Sequence, residues 1–260
     1  MPEGVHAIAH EQLDLRSDAE VDHGLIHPPP VSGEKNIWFY WHSGYANMHP
    51  YTKRIVRTWH RRFSKQGWVI RVLDRHPGSP LNVSNFLDVT DPQTFPRAFI
   101  DRTLSGPYAI QHNSDLVRWP LLLKYGGIYA DVGMIQIGDL DRLWNETVAD
   151  PDSPVEVISY SSPDAGRRNL LNYFMGAGKN NRFFERCQRL FLALWAEHGG
   201  KTHTDGMHKS ALLKTLPQSP GTGLAFEEDG RKYSDAEVGE MLADYIIQGQ
   251  VSILRSSYVY

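Results

Sequence analysis

Asp115, Arg118 and Asp131 are the residues of this chain whose types and spacing best suit chemistry on a charged ligand. Asp115 and Arg118 stand three positions apart, which on a helix places a carboxylate and a guanidinium on one face. A pair of that kind is also an ordinary surface ion pair, worth about 0.2–0.5 kcal/mol. Asp131 is harder to explain that way. It follows the apolar run Ile128-Tyr129-Ala130, where a carboxylate is costly to bury alone, so it lies at an exposed strand end or meets a partner. Two acids and a guanidinium converging on one pocket can hold a phosphorylated ligand, with the guanidinium opposing charge that develops on a departing phosphate.

The surrounding sequence predicts the elements that must position them. Ser114 reads as the cap of a short helix carrying Asp115 and Arg118. Pro120 deprives that helix of the bond its amide would give to Leu116, so a kink is expected. Gly126 and Gly127 tolerate the positive φ of a tight turn, and Ile128 to Val132 then reads as a buried strand that delivers Asp131.

The segment SDLVRWPLLLKYGGIYADVG resembles the signature of GT-A glycosyltransferases of the capsular polysaccharide synthesis type. That resemblance implies an α/β fold, a Rossmann-like, mainly parallel mixed sheet flanked by helices, and a nucleotide diphosphate sugar as donor. It implies that Asp115 and Arg118 meet the ribose and diphosphate, with Ser114 and Gly127 counted among the substrate-binding residues. Asp131 then stands as the first Asp of an Asp-x-Asp motif, and Asp131 and Arg118 carry the catalytic roles. The second Asp of the motif is replaced by Gly133, so the Mn²⁺ or Mg²⁺ ion that the resemblance implies has Asp131 and one oxygen supplier fewer. The run Asn36 to Trp41 resembles the family's first strand, with Trp38 or Trp41 as the aromatic that stacks on the base; alternation puts Trp38 and Tyr40 on one face, Phe39 and Trp41 on the other. Asp74 ends a second strand, Trp68 to Asp74, at the carboxyl edge where open α/β sheets place ligands.

Composition sets outer bounds. The chain of 260 residues is 41% hydrophobic and 22% charged, close to globular averages. A net charge of −3 gives no basic surplus for extensive nucleic-acid contact. The single cysteine, Cys187, has no intramolecular partner and falls on the apolar side of a helical pattern, pointing to a reducing, cytoplasmic setting. No run approaches the roughly 18 apolar residues of a membrane span.

Along the chain, residues 1–35 read as a flexible arm and 36–260 as one domain, with a nucleotide-binding half (36–141) and an acceptor half (142–260). A helix is predicted over Met48 to Phe63, its basic residues a solvated face, and another near Pro96 to Leu104. Beyond Asp141 the pattern gives a strand at Val155 to Tyr160, an apolar segment at Leu170 to Met175, and a helix carrying Phe184, Cys187, Phe191 and Trp195. His203 to His208 reads as a surface turn, Ser234 to Glu237 as a capping box with Val238, Met241, Leu242 and Tyr245 inward, and Val251 to Leu254 as a closing strand.

The function expected is sugar transfer to an unidentified acceptor, with retention as the family's common outcome. Two other readings follow from the altered Asp131-Val132-Gly133 motif. One is an arginine-containing cyclodipeptide synthase using aminoacyl-tRNA, which calls for a basic groove. The other is a nucleotide-sugar-binding protein without turnover.

Overall fold

The computed structural model describes residues 10–136, 138–161, 170–213 and 226–256. Its elements in order are α1 (Asp18–Ile26), β1 (Asn36–Tyr40), α2 (Pro50–Phe63), β2 (Val69–Leu73), α3 (Arg97–Ile100), α4 (Ala109–Tyr125), β3 (Gly127–Ala130), α5 (Leu140–Glu146), β4 (Val157–Ser161), β5 (Leu170–Ala177) and α6 (Arg182–Ala196). After these come the hairpin strands β6 (Phe226–Glu228) and β7 (Arg231–Tyr233), then α7 (Asp235–Leu242) and α8 (Ile247–Ser256). Five strands form a mixed sheet in the order β2-β1-β3-β5-β4. The β2, β1 and β3 strands are parallel neighbours, and β5 alone is reversed, pairing antiparallel with both β3 and β4. This is the α/β, mainly parallel architecture expected from the sequence.

Alternation along β1 divides the core. Trp38 and Tyr40 join α4, α6 and α8 on one face; Ile37 and Phe39 join α1, α2 and α5 on the other. Helix α4 is buried on nearly every side, including His112, Asn113, Asp115 and Arg118, which explains its apolar composition away from those polar residues. The helix starts five positions before Ser114. Ser114 is therefore not its cap: its hydroxyl donates to the Gln111 carbonyl at 2.7 Å, as a mid-helix serine does. Pro120 lies inside α4, and Gln248 of α8 donates at 2.5 Å to the Asp115 carbonyl, one residue before the carbonyl that proline leaves without its amide.

Three other expectations are corrected. Within the arm, Asp18–Ile26 forms a helix capped by a reciprocal Ser17–Glu20 pair, with Val21 and Leu25 wholly buried. The basic face of α2 is not left to solvent, because the arm's acids cover it. Arg57 binds Asp22 and Asp18, each at 2.6 Å, and Arg61 binds Asp18 at 2.8 Å. Finally, Val251 to Leu254 belongs to α8, where Ile247 and Val251, one turn apart, enter the core. The capping box at Ser234 forms as read, but of the residues expected inward Val238 is buried while Met241 is 55% exposed.

Candidate active site

At the carboxyl ends of β1 and β3, where parallel α/β sheets present ligands, lies a cavity of about 540 Å³. Five parts of the chain wall it. The end of β1 brings Tyr40, Trp41, His42 and Ser43; the first turns of α4 bring Gln111, Ser114, Asp115 and Arg118; the loop after β3 brings Asp131 to Gly133. Asn172 of β5 and Tyr245 and Ile246 before α8 complete it. The reversal of β5 accounts for Asn172. Ala130 pairs with Phe174 and the Asp131 amide donates to the Tyr173 carbonyl at 2.8 Å, so the beginning of β5 lies level with the loop that follows β3.

Arg118 is the centre of the wall. Its Nη2 sits 2.8 Å from Asp115 Oδ1 and 3.6 Å from Asp131 Oδ1, and it donates to Ser114 Oγ at 3.0 Å. Nη1 donates to the Asn172 carbonyl, and the guanidinium lies 4.7 Å from the centroid of the Tyr129 ring. Burial alone would lower the pKa of this arginine, yet Asp115, then Tyr129 and Asp131, outweigh it and hold the value above ordinary.

The two acids have different surroundings. Asp115 is 5% exposed and both its oxygens are engaged: Oδ1 by Arg118, Oδ2 by His112 Nδ1 at 2.9 Å. His112 is in turn held through Nε2 by Thr204 Oγ1 at 3.1 Å, so the loop expected to be a surface turn is packed beneath the site, with Thr204 and Met207 buried. The Asp131 side chain is 46% exposed, but it faces a walled cavity rather than open water. Desolvation by those walls pushes its carboxyl above the ordinary carboxylate value, with Arg118 pulling the other way and Asp115 adding to the rise. The loop that carries it is anchored on α2, where Trp59 Nε1 donates to Met134 O at 2.8 Å and Arg62 Nη2 to Gly138 O at 2.8 Å.

Of the residues singled out from sequence, Ser114, Asp115, Arg118, Asp131, Gly133 and Trp41 share this cavity. Trp38 does not: it is fully buried and donates from Nε1 to the Gly126 carbonyl at 2.9 Å. Gly127 is a packing residue, at φ +100°, where an added Cβ would collide with the Asn36 carbonyl oxygen of β1. Asp74, 3% exposed, accepts from His76 N at 2.9 Å and Ser79 Oγ at 2.6 Å and faces a separate cleft of about 190 Å³. Local patterns give no sign of Asn172, Tyr245 or Gln248, which reach the site from distant parts of the chain.

The donor set does not fit a divalent ion held by protein ligands. Among the described residues no group of three His, Cys, Asp or Glu side chains could hold a metal ion, and in the cavity wall only Asp131 offers a carboxylate not already engaged on both oxygens. Gly133, two residues on, opens onto empty space: a Cβ added there would meet nothing within 4 Å. Arg118 is also the single Arg or Lys among the described lining residues, which is not the basic groove that a tRNA substrate calls for.

The chain is 38% identical over 219 residues to the O-glycosyltransferase braB of Annulohypoxylon truncatum, covering 84% of this chain and 50% of that protein. It is 38% identical over 232 residues to the O-glycosyltransferase PaGT of Phomopsis amygdali, covering 88% of this chain and 55% of the relative. With the probable glycosyltransferase FCK3 of Fusarium pseudograminearum it shares 40% identity over 205 residues, 79% of this chain and 50% of that one. The chain thus spans about half the length of the curated relatives it matches. No helix among the described residues is long and apolar enough to cross a membrane. With residues 8–203 matching the family described as capsular polysaccharide synthesis protein, the chain belongs to that family.

Proposed function

We propose that this chain carries the donor site of a glycosyltransferase that moves a sugar from a nucleoside diphosphate to a hydroxyl acceptor. The observation that supports it most is Arg118, fixed between Asp115 and Asp131 in the wall of a cavity of about 540 Å³, a size that suits a nucleotide sugar. In such a transfer the bond between sugar C1 and the diphosphate oxygen breaks, and the electron pair leaves with the diphosphate. C1 bonds to the acceptor oxygen, whose proton passes to an oxygen of the departing diphosphate, giving retention without a side-chain base.

In this reading Arg118 opposes the charge that builds on the leaving group, and Asp115 holds Arg118 aimed into the cavity. Asp131, half-exposed, meets hydroxyls of the donor, and Trp41, at the end of β1, stacks on the base. The names of the relatives support the reaction class. Residues 36–141 supply most of the donor wall; Asn172, Tyr245 and Ile246 bring the acceptor half to its rim.

Purified protein incubated with UDP-, GDP- and dTDP-glucose, with and without Mn²⁺, tests the reading. Release of nucleoside diphosphate from one of the three, lost in a folded Arg118→Met protein, is the expected result. Absence of both release and thermal stabilisation with all three would overturn it.

A further inference from the structure

Behind Asp115 a line of polar contacts runs from the cavity wall into the protein. Asp115 Oδ1 meets Arg118 Nη2 at 2.8 Å, and its Oδ2 meets His112 Nδ1 at 2.9 Å. His112 Nε2 in turn lies 3.1 Å from Thr204 Oγ1. Both His112 and Thr204 are buried and neither lines the donor cavity, so neither touches a donor seated there. Each is held in place from outside the site. The His112 ring packs among those of Tyr108, Trp195 and Tyr245, with centroids 6.3, 6.2 and 6.4 Å away. The loop carrying Thr204 is tied to Asp244, just past α7, which accepts from the amides of Gly206 (2.8 Å) and His208 (3.0 Å).

We propose that His112 is a positioning residue for Arg118, with its proton on Nδ1 and a bare Nε2 that accepts from the Thr204 hydroxyl, an inference that rests on the donor role of Arg118 argued above. The proton positions follow from the acceptors. A carboxylate paired with an arginine has only lone pairs to offer, so the hydrogen in the Asp115 bond comes from Nδ1. In a neutral ring the other nitrogen then carries none, and the hydroxyl donates to it. The consequence is the direction in which Asp115 holds Arg118. A carboxylate and a guanidinium left to themselves pair through two parallel bonds. Here His112 occupies Oδ2, while Arg118 Nε donates to the Ser114 carbonyl at 3.3 Å and Nη1 to the Asn172 carbonyl. Arg118 therefore meets Asp115 through Nη2, the same nitrogen that lies 3.6 Å from Asp131 in the cavity wall. Without the imidazole, Oδ2 is buried and loses its donor. The carboxylate regains one by turning onto Arg118, which draws the guanidinium away from the cavity.

Two spectra read this arrangement without turnover. In protein labelled with ¹⁵N-histidine, the signals lost in His112→Asn identify His112 among the twelve histidines. They are expected to show a proton on Nδ1 and none on Nε2; a proton on Nε2 overturns the assignment. In protein labelled with ¹⁵N-arginine, the Nε signal lost in Arg118→Lys identifies Arg118. That signal is expected to move in His112→Leu and to return in His112→Asn, whose amide nitrogen takes the place of Nδ1. Kinetics supply the functional arm, with whichever of UDP-, GDP- and dTDP-glucose the protein cleaves. His112→Leu is expected to lower kcat roughly 10- to 100-fold with the donor KM within about threefold, the effect of a guanidinium misplaced by about 1 Å, and His112→Asn to recover most of the loss. A histidine that only supports the fold would instead lower Tm in both variants and leave kcat of the folded proteins alone. Thr204→Val keeps the side chain's shape and removes the hydroxyl; it is expected to give the same changes to a smaller extent, and it replaces His112→Leu in both arms if the leucine protein does not fold. An unmoved Arg118 signal, or an unchanged kcat in the folded variant, overturns the positioning role. A moved Arg118 signal in a protein that cleaves none of the three sugars overturns the donor reading alone.

Discussion

Replacing Arg118 by Met keeps the aliphatic stem and removes the guanidinium, and the structure sets the size of the response. The side chain is 2% exposed and its loss leaves Asp115 with His112 Nδ1 at 2.9 Å and Asn172 Nδ2 at 3.4 Å as donors. Breaking a buried pair by removing one partner costs about 3–5 kcal/mol, and the surviving histidine bond puts this case near the lower end. For a chain of this size about 3 kcal/mol lowers Tm by roughly 6–12 °C, and out of a total stability of about 5–15 kcal/mol it leaves the protein folded at 25 °C. A lost hydrogen bond to a charged phosphate weakens binding by about 1.5–3 kcal/mol, roughly 10- to 100-fold in Kd. Thermal melts and calorimetric titration with UDP and UDP-glucose read the two effects separately. Arg118→Lys, which keeps the charge and loses the fork, is expected to fall between wild type and Arg118→Met in both. A melting temperature that drops while UDP affinity stays within about twofold of wild type would make Arg118 a structural ion pair only, and its role in opposing leaving-group charge would fail.

The two tryptophans of β1 and its following turn should separate cleanly. Trp41→Ala weakens UDP binding by about 1–3 kcal/mol of lost base stacking and lowers Tm less than Trp38→Ala, which costs about 3–5 kcal/mol of stability, as melts and titrations of both variants will show. Gly127→Ala is expected to prevent normal folding, measured as loss of soluble, cooperatively melting protein, because the added methyl meets the Asn36 carbonyl at a left-handed φ. Gly133→Asp, which has open space, should fold normally and tighten Mn²⁺ binding at least fivefold by supplying a second carboxylate beside Asp131; unchanged affinity by calorimetry would mean that the two do not face a common point. Acid melts test the arm: Arg16 holds the Asp14 carboxyl down from 3.8 to about 2, so its stabilisation is complete above the ordinary value and lost as pH falls through about 2. Asp14→Asn should therefore lower Tm at pH 7, with the gap to wild type closing as pH falls from about 4 towards 2.

What can be read from the sequence is whatever depends on neighbours in the chain. The helix with Asp115 and Arg118 on one face, the glycine turn and the short strand before Asp131 all follow from local spacing, and the β1 alternation correctly separates Trp38 from Trp41. Which tryptophan faces the cavity does not follow, because the pattern fixes faces and says nothing of which end of the strand stays open. Ser114 looks like a cap because a serine before an apolar run looks the same in mid-helix; Pro107, just ahead of the true start at Ala109, is the better sign. The acidic arm and basic α2 carry complementary charge that only tertiary contact pairs. Asn172 and Gln248 have no local pattern at all: one depends on a strand reversal, the other on a helix more than a hundred residues beyond Asp115.

The cavity's far wall has a bearing on how the protein can be divided. Tyr245, Ile246 and the Gln248 bond lie beyond residue 203, where the family match ends. A polypeptide cut after Leu213 would still carry Asp115, Arg118 and Asp131, and a search would still recognise it. Its cavity, however, would lack the wall made by Tyr245 and Ile246, and the Asp115 carbonyl would lose the Gln248 bond. In this fold the portion that identifies the molecule is smaller than the portion that makes the pocket.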